Sequence, residues 1–153
     1  MTPEEKLVEM NVKLPPPPTP VGAYVPTVRI GSLLWTSGQL PLRDGKLCCT
    51  GKVGKDLSVA MGQEAAKVAA VNALAAIKGD VGELSKVKRV VQLIGYVQSA
   101  PEFAEQHLVL NGASNLLLAA LGEAGRHTRA AVGVAALPMN APVEVCVLVE
   151  VGD

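Results

Sequence analysis

Val143-Glu144-Val145-Cys146-Val147-Leu148-Val149-Glu150-Val151 is the stretch whose reading decides the fold. Side chains of an extended strand point alternately to opposite sides. Valine therefore takes one side throughout, while Glu144, Cys146, Leu148 and Glu150 share the other. A strand of this pattern belongs to a sheet with one face covered. Just upstream, residues 130–135 read as a second closing strand, joined to the first through Leu137-Pro138-Met139-Asn140-Ala141-Pro142. Further back, residues 87–98 have the length and β-branched content of a central strand. Apolar residues on both of its faces predict burial on both sides.

Moving toward the N-terminus, Ser99-Ala100-Pro101-Glu102 has the form of a capping box and predicts a helix reaching about Leu121, stopped by Gly122 and Gly125. Residues 57–78 read as an Ala-rich helix with Gln63, Glu64 and Lys67 on a polar face and Gly79 at its stop. Residues 46–53 read as a third strand, which would send Cys48 and Cys49 to opposite faces. Residues 27–30 and 33–37 form a predicted hairpin around Gly31-Ser32. Ahead of them, Thr2-Pro3-Glu4-Glu5 is a capping box opening a short helix to about Asn11. Leu14-Pro15-Pro16-Pro17-Pro18-Thr19-Pro20 must then be extended. It reads as a spacer laying that helix on the body, with an SH3-type ligand as the alternative. The expected division is an N-terminal extension at 1–20 and one domain at 21–153. The predicted class is α+β: one mixed six-stranded sheet with two helices on one face. Its other face keeps apolar groups and calls for self-association.

The chain of 153 residues is long enough for one well-cored domain. Fourteen basic residues balance 14 acidic ones, so no electrostatic footprint for nucleic acid or an anionic membrane exists. Apolar residues make up 49% and aromatics 3%, which requires a core of Val, Leu, Ile and Ala. Three cysteines, Cys48, Cys49 and Cys146, indicate a reducing compartment and a cytoplasmic protein. Two histidines and no Cys-x-x-Cys pair predict no metal site. Met1 to Met10 lacks the form of a signal peptide, and no run of about 18 apolar residues predicts a membrane span. No phosphate loop or nucleophile elbow is present.

The candidates for chemistry are a few polar residues in apolar surroundings. Arg129 opens a strand, where its planar fork either grips a carboxylate or stands in solvent. Glu144 lies in an all-Val strand, as a proton shuttle of raised pKa or as a solvated or ion-paired residue. Tyr24 is a hydroxyl donor or a packing residue. Ser37 and Gly38 end a strand and could present a hydroxyl and an amide to a cleft, or form an ordinary turn. Asn111 and Ser114 flank Gly112 in a helix, where glycine costs about 1 kcal/mol and points to close packing or a ligand. His107 and His127 are bases or surface and capping residues.

Thr36-Ser37-Gly38-Gln39-Leu40-Pro41 and Arg129-Ala130-Ala131-Val132-Gly133-Val134-Ala135-Ala136-Leu137-Pro138, followed by Val143-Glu144, resemble two signatures of the RidA (YjgF-like) reactive-intermediate deaminase family, in the same order. The likeness runs from about Pro20-Val21-Gly22-Ala23-Tyr24 to Glu150. It implies a chorismate-mutase-like fold, a homotrimer with clefts between subunits, and hydrolysis of enamines and imines such as 2-aminoacrylate to 2-keto acids and ammonia. Arg129 would clamp the substrate carboxylate and Glu144 would activate water. Tyr24, Ser37, Gly38 and Asn111 would line the cleft. No cofactor is implied, because an imine carbon is already electrophilic and positioning with one proton shuttle suffices. Ala131 stands where the family commonly has cysteine, and Asn111-Gly112-Ala113-Ser114 departs from the usual helix pattern, which marks a divergent branch.

If residues 137–142 turn a simple hairpin, Arg129 pairs near Glu150 and Glu144 lies on the order of 20 Å away. The expectation is then that Arg129 meets the Glu144 of a neighbouring subunit. The alternative is a non-catalytic trimer that binds small carboxylates. An endoribonuclease reading, also attached to this family, fits poorly with zero net charge and scarce aromatics.

Overall fold

The structure is a computed structural model describing residues 1–19 and 22–153. In chain order its elements are α1 (Pro3–Glu9), β1 (Thr27–Ile30), β2 (Leu33–Thr36), β3 (Leu42–Arg43), β4 (Lys46–Leu47), α2 (Val59–Val81), β5 (Val87–Gln98), α3 (Gln106–Leu121), β6 (Thr128–Val134) and β7 (Val143–Val151). The main sheet has five strands, ordered β1-β2-β7-β5-β6. Only β5 and β6 run parallel; the other pairings are antiparallel. The α+β class and the mixed sheet are as expected. The strand count is not: the sixth strand expected at 46–53 is instead the second arm of a two-residue hairpin, β3–β4. Asp44 (φ 54°) and Gly45 (φ 78°) make its turn, a left-handed pair that an Asp-Gly dipeptide accommodates readily. Cys48 and Cys49 therefore lie outside any strand, with their sulfurs 3.9 Å apart rather than on opposite faces. The expected domain boundary at 20/21 falls on residues outside those described.

Helices α2 and α3 cover one face of the sheet. Ala65, Ala66, Ala69, Ala70 and Ala73 of α2 are fully buried, and so are Val109, Leu110, Ala113 and Leu117 of α3. Small side chains let the two helices meet backbone to backbone. A Cβ on Gly112 would strike the Gln63 carbonyl, so this glycine answers to close packing. The Gln63 amide donates to the Leu108 carbonyl at 2.9 Å across the same contact. Residues 106–125 are long and apolar enough to cross a membrane, but in α3 this composition serves the core.

Several local signals resolve differently in three dimensions. Ser58 caps α2, which runs past Gly79 to Gly82 (φ 88°). Gly79 instead gives room to Pro17. Helix α3 begins at Gln106, with no side-chain cap, and not at Ser99. The Ser99 hydroxyl donates back to the Val97 carbonyl and accepts from the Gln106 amide. Strand β5 is buried on the helix face through Leu93 and Val97, whereas Ile94 and Tyr96 are only partly covered, so burial on both sides does not hold within one chain. The capping box of α1 is present as read. Leu7 of that helix enters the core, and the Glu4 carboxylate accepts the Leu84 amide at 2.7 Å.

Candidate functional site

Arg129 lies on β6, the edge strand, in register with Leu93 of β5. Leu93 faces the helices, and the Arg129 side chain does too. Its Nη1 donates to Asn111 Oδ1 at 2.8 Å and to Ser114 Oγ at 3.2 Å, and Nη2 donates to the His107 carbonyl at 3.2 Å. Asn111 and Ser114 are one helical turn apart on α3, so both present to the same strip of surface. A guanidinium has five N–H donors. Three are engaged among the described residues, leaving Nε–H and one hydrogen of Nη2 for a ligand. The residue is exposed, but α3 holds its orientation. Of the two histidines, His107 contributes its carbonyl. His127 contributes its ring: Nε2 lies 2.9 Å from Ser114 Oγ and Nδ1 lies 2.6 Å from the Gly125 carbonyl.

The second group gathers where β2 ends beside β7. Gln39 and Val145 exchange backbone hydrogen bonds of 2.8 and 3.0 Å, which brings Gly38 over Glu144. A Cβ on Gly38 would overlap the Glu144 carboxylate, so the absent side chain is what makes the juxtaposition possible. Burial raises the Glu144 carboxyl above its ordinary pKa and is the cause of that shift. Cys146, two residues along on the same face, is raised by burial and then by the charge of Glu144. The Ser37 amide donates to the Pro26 carbonyl and its hydroxyl to the Val25 carbonyl, tying the segment that carries Tyr24 to the end of β2. Tyr24 is exposed, its ring against Gly22.

The structure thus brings Arg129 together with Asn111, and Glu144 with Gly38, Ser37 and the Tyr24 segment. It does not join the two groups within one chain. The hairpin supposed for β6 and β7 is absent, because β5 runs between them. Leu93, opposite Arg129, pairs with Val147, three residues from Glu144. At ~4.8 Å per strand and ~3.3 Å per residue the two backbones are roughly 14 Å apart. Alternation also places Glu144 on the open face and Arg129 on the helix-covered face. Separation by faces, not 20 Å along a hairpin, keeps the two apart.

Two concavities lie elsewhere. A groove of about 490 Å³ runs between Asn11–Pro16, Arg43, Glu64 and Asn72. A hollow of about 440 Å³ lies by Lys52, Ser99, Gln106 and Gly133. Neither contains Arg129 or Glu144. Among the described residues no three of His, Cys, Asp and Glu converge on a metal-sized space. His127 stood among the candidate bases, but its link to Arg129 through Ser114 was not read from the sequence. The signal was there: residues 127 and 129 share one side of an extended segment, as 111 and 114 share one face of a helix.

A family model described as "YjgF/chorismate mutase-like, putative endoribonuclease" matches residues 4–151. Protein TCP17 of Trypanosoma cruzi is 46% identical over 148 residues, covering 96% of this chain and 92% of that protein. The crystal structure of Atu1372 from Agrobacterium tumefaciens, a protein of unknown function, is 52% identical with a TM-score of 0.92, over 98% of this chain and 92% of that one. A protein of Shewanella oneidensis described as a "putative endoribonuclease" is 38% identical with a TM-score of 0.95, over 99% and 100%.

Proposed function

The chain belongs to the YjgF-like (RidA) family, and on that footing we propose that it hydrolyses enamine and imine intermediates of the 2-aminoacrylate kind to 2-keto acids and ammonia, in clefts between the subunits of a cytoplasmic homotrimer. The observation that carries the reading is the Arg129 fork: three donors held by Asn111, Ser114 and the His107 carbonyl of α3, two left free among the described residues. Two parallel N–H donors match a carboxylate. The Glu144 group is the complementary half, a carboxyl of raised pKa on a different face of the chain. A neighbouring copy whose Glu144, Gly38 and Ser37 lie opposite Arg129 completes one site from two incomplete ones.

The hydrolysis needs only these residues, water and a solvent proton. An enamine first takes that proton at carbon to become the iminium. Arg129 holds the substrate carboxylate, which fixes the imine carbon. Glu144 takes a proton from water as the new C–O bond forms, and the C=N π pair moves to nitrogen. Glu144 returns its proton to nitrogen, the C–N bond breaks as an oxygen lone pair closes the carbonyl, ammonia leaves, and the hydroxyl proton passes to Glu144 and on to solvent. A carboxyl with a raised pKa suits a group that must both take and give a proton near neutrality.

The test is ammonia release from 2-aminoacrylate generated in situ. Arg129→Ala and Glu144→Gln are each expected to lower the rate by about 100-fold or more. Wild-type protein that binds a 2-keto acid with no turnover would instead establish the carboxylate-binding reading.

A further inference from the structure

The polar atoms behind Arg129 form a chain that one tautomer of His127 satisfies from end to end. Arg129 Nη1 can only donate, so Asn111 turns its Oδ1 toward it and Ser114 Oγ accepts, at 2.8 and 3.2 Å. The Ser114 hydroxyl hydrogen must then go elsewhere. His127 Nε2, 2.9 Å away, is in position to accept it. That requires Nε2 to be unprotonated and Nδ1 to carry the ring hydrogen. Nδ1 lies 2.6 Å from the Gly125 carbonyl, an acceptor only. Gly125 is itself immobilised: it is buried, and a Cβ on it would strike the Leu117 carbonyl. The sequence of bonds Arg129 → Ser114 → His127 → Gly125 therefore runs in one direction from a guanidinium to a packed backbone carbonyl.

We infer that Ser114 and His127 are positioning residues for the Arg129 fork. Neutral His127, in the Nδ1–H form, fixes the Ser114 hydroxyl so that its lone pair faces Nη1. The guanidinium plane is then held at three points on α3, with Nε–H and one Nη2 hydrogen left toward the ligand. The inference rests on Arg129 being a carboxylate clamp. It adds that the clamp's affinity is set by a hydroxyl–imidazole pair touching no ligand atom. Preorganisation of this kind raises affinity by removing the cost of ordering a long side chain on binding.

The experiment measures binding of 2-oxobutyrate by calorimetry to the full-length protein and to variants, with ¹⁵N spectra of the histidine rings. Ser114→Ala and His127→Leu are each expected to weaken binding about 10-fold, the order of one hydrogen bond to a charged group. The double variant is expected to be no weaker than either alone, because the two residues act through one connection. His127→Gln, whose Oε1 can accept from Ser114, is expected to restore most of the affinity. The wild-type spectrum should show His127 with its hydrogen on Nδ1. Unfolding midpoints separate a lost clamp from a damaged fold. If Arg129→Ala abolishes binding while Ser114→Ala and His127→Leu bind as wild type, or if His127 carries its hydrogen on Nε2, the positioning role is overturned and the clamp stands. If wild type and Arg129→Ala bind equally, or neither binds, the clamp itself is overturned, and the positioning role with it.

Discussion

The two faces of the one sheet are built from the same strands and obey opposite rules. On β7, Val143, Val145, Val147, Val149 and Val151 lie under the helices with 2% exposure or less. The alternate residues, Glu144, Cys146, Leu148 and Glu150, are only partly covered. Exposed apolar groups continue across that open face: Val28 and Ile30 on β1, Trp35 on β2 and Val132 on β6. The covered face is complete in one chain and accounts for the fold. The open face exposes aliphatic surface that water disfavours, and it carries Glu144. The difference teaches that the fold draws on one surface of the sheet, whereas the proposed site joins Arg129 on the covered face to Glu144 on the open one. The first needs a single copy of the chain; the second, as proposed, joins two.

The sharpest way to break this contrast is on β5, where Leu93 and Ile94 point to opposite faces. Leu93→Ala removes a fully buried side chain and is expected to cost about 2–5 kcal/mol. Denaturant titration should show a lower midpoint with unchanged slope. Ile94→Ala should have the smaller effect in any dissociated form. An equal loss at both positions in a monomer would mean that the open face supports the fold of one chain.

Val132→Asp tests the other half. A charge on the open face should turn the proposed trimer into monomers in sedimentation, because an unpaired carboxylate in an apolar interface is costly. It should change the monomer's own stability by about 0.5 kcal/mol or less, as surface substitutions do. Wild-type monomers at micromolar concentration would remove the basis for a shared cleft.

The smallest effect belongs to Glu144→Gln in the same stability assay. The folded chain holds this carboxyl above its ordinary value of 4.5, so the native state prefers the protonated form. The stabilisation from the neutral acid is complete at low pH and is lost as pH rises through the raised value. Glutamine should therefore match wild type at pH 4 and exceed it at pH 8, by less than about 1 kcal/mol because solvent screens a partly exposed group. Thermal midpoints at the two pH values check the sign.

Strands β1, β5 and β7 were legible to the residue, and β2 to within one, because β-branched content and alternation are local properties of the chain. The Asp44-Gly45 turn was not read, and the β-prone residues after it pointed to a strand longer than Lys46–Leu47. Ser99 to Glu102 shows the limit of a local motif: its letters fit a capping box, yet the Ser99 hydroxyl turns back to Val97 and the helix waits until Gln106. Arg129, Asn111, Ser37, Gly38 and Glu144 were all identifiable as types in a pattern. Their grouping was not.

What the sequence determined by itself is the α+β class, the aliphatic and Ala-built core, the strand faces and the identity of the polar residues set among them. These follow from side-chain size and from the fixed geometry of strand and helix. Only the tertiary structure decided that β5 passes between β6 and β7, that Arg129 leans on α3, and that Glu144 looks out from the opposite face. Strand order and side-chain partnership are set by contacts between residues distant in the chain, and no local pattern encodes which of several compatible neighbours a strand will take.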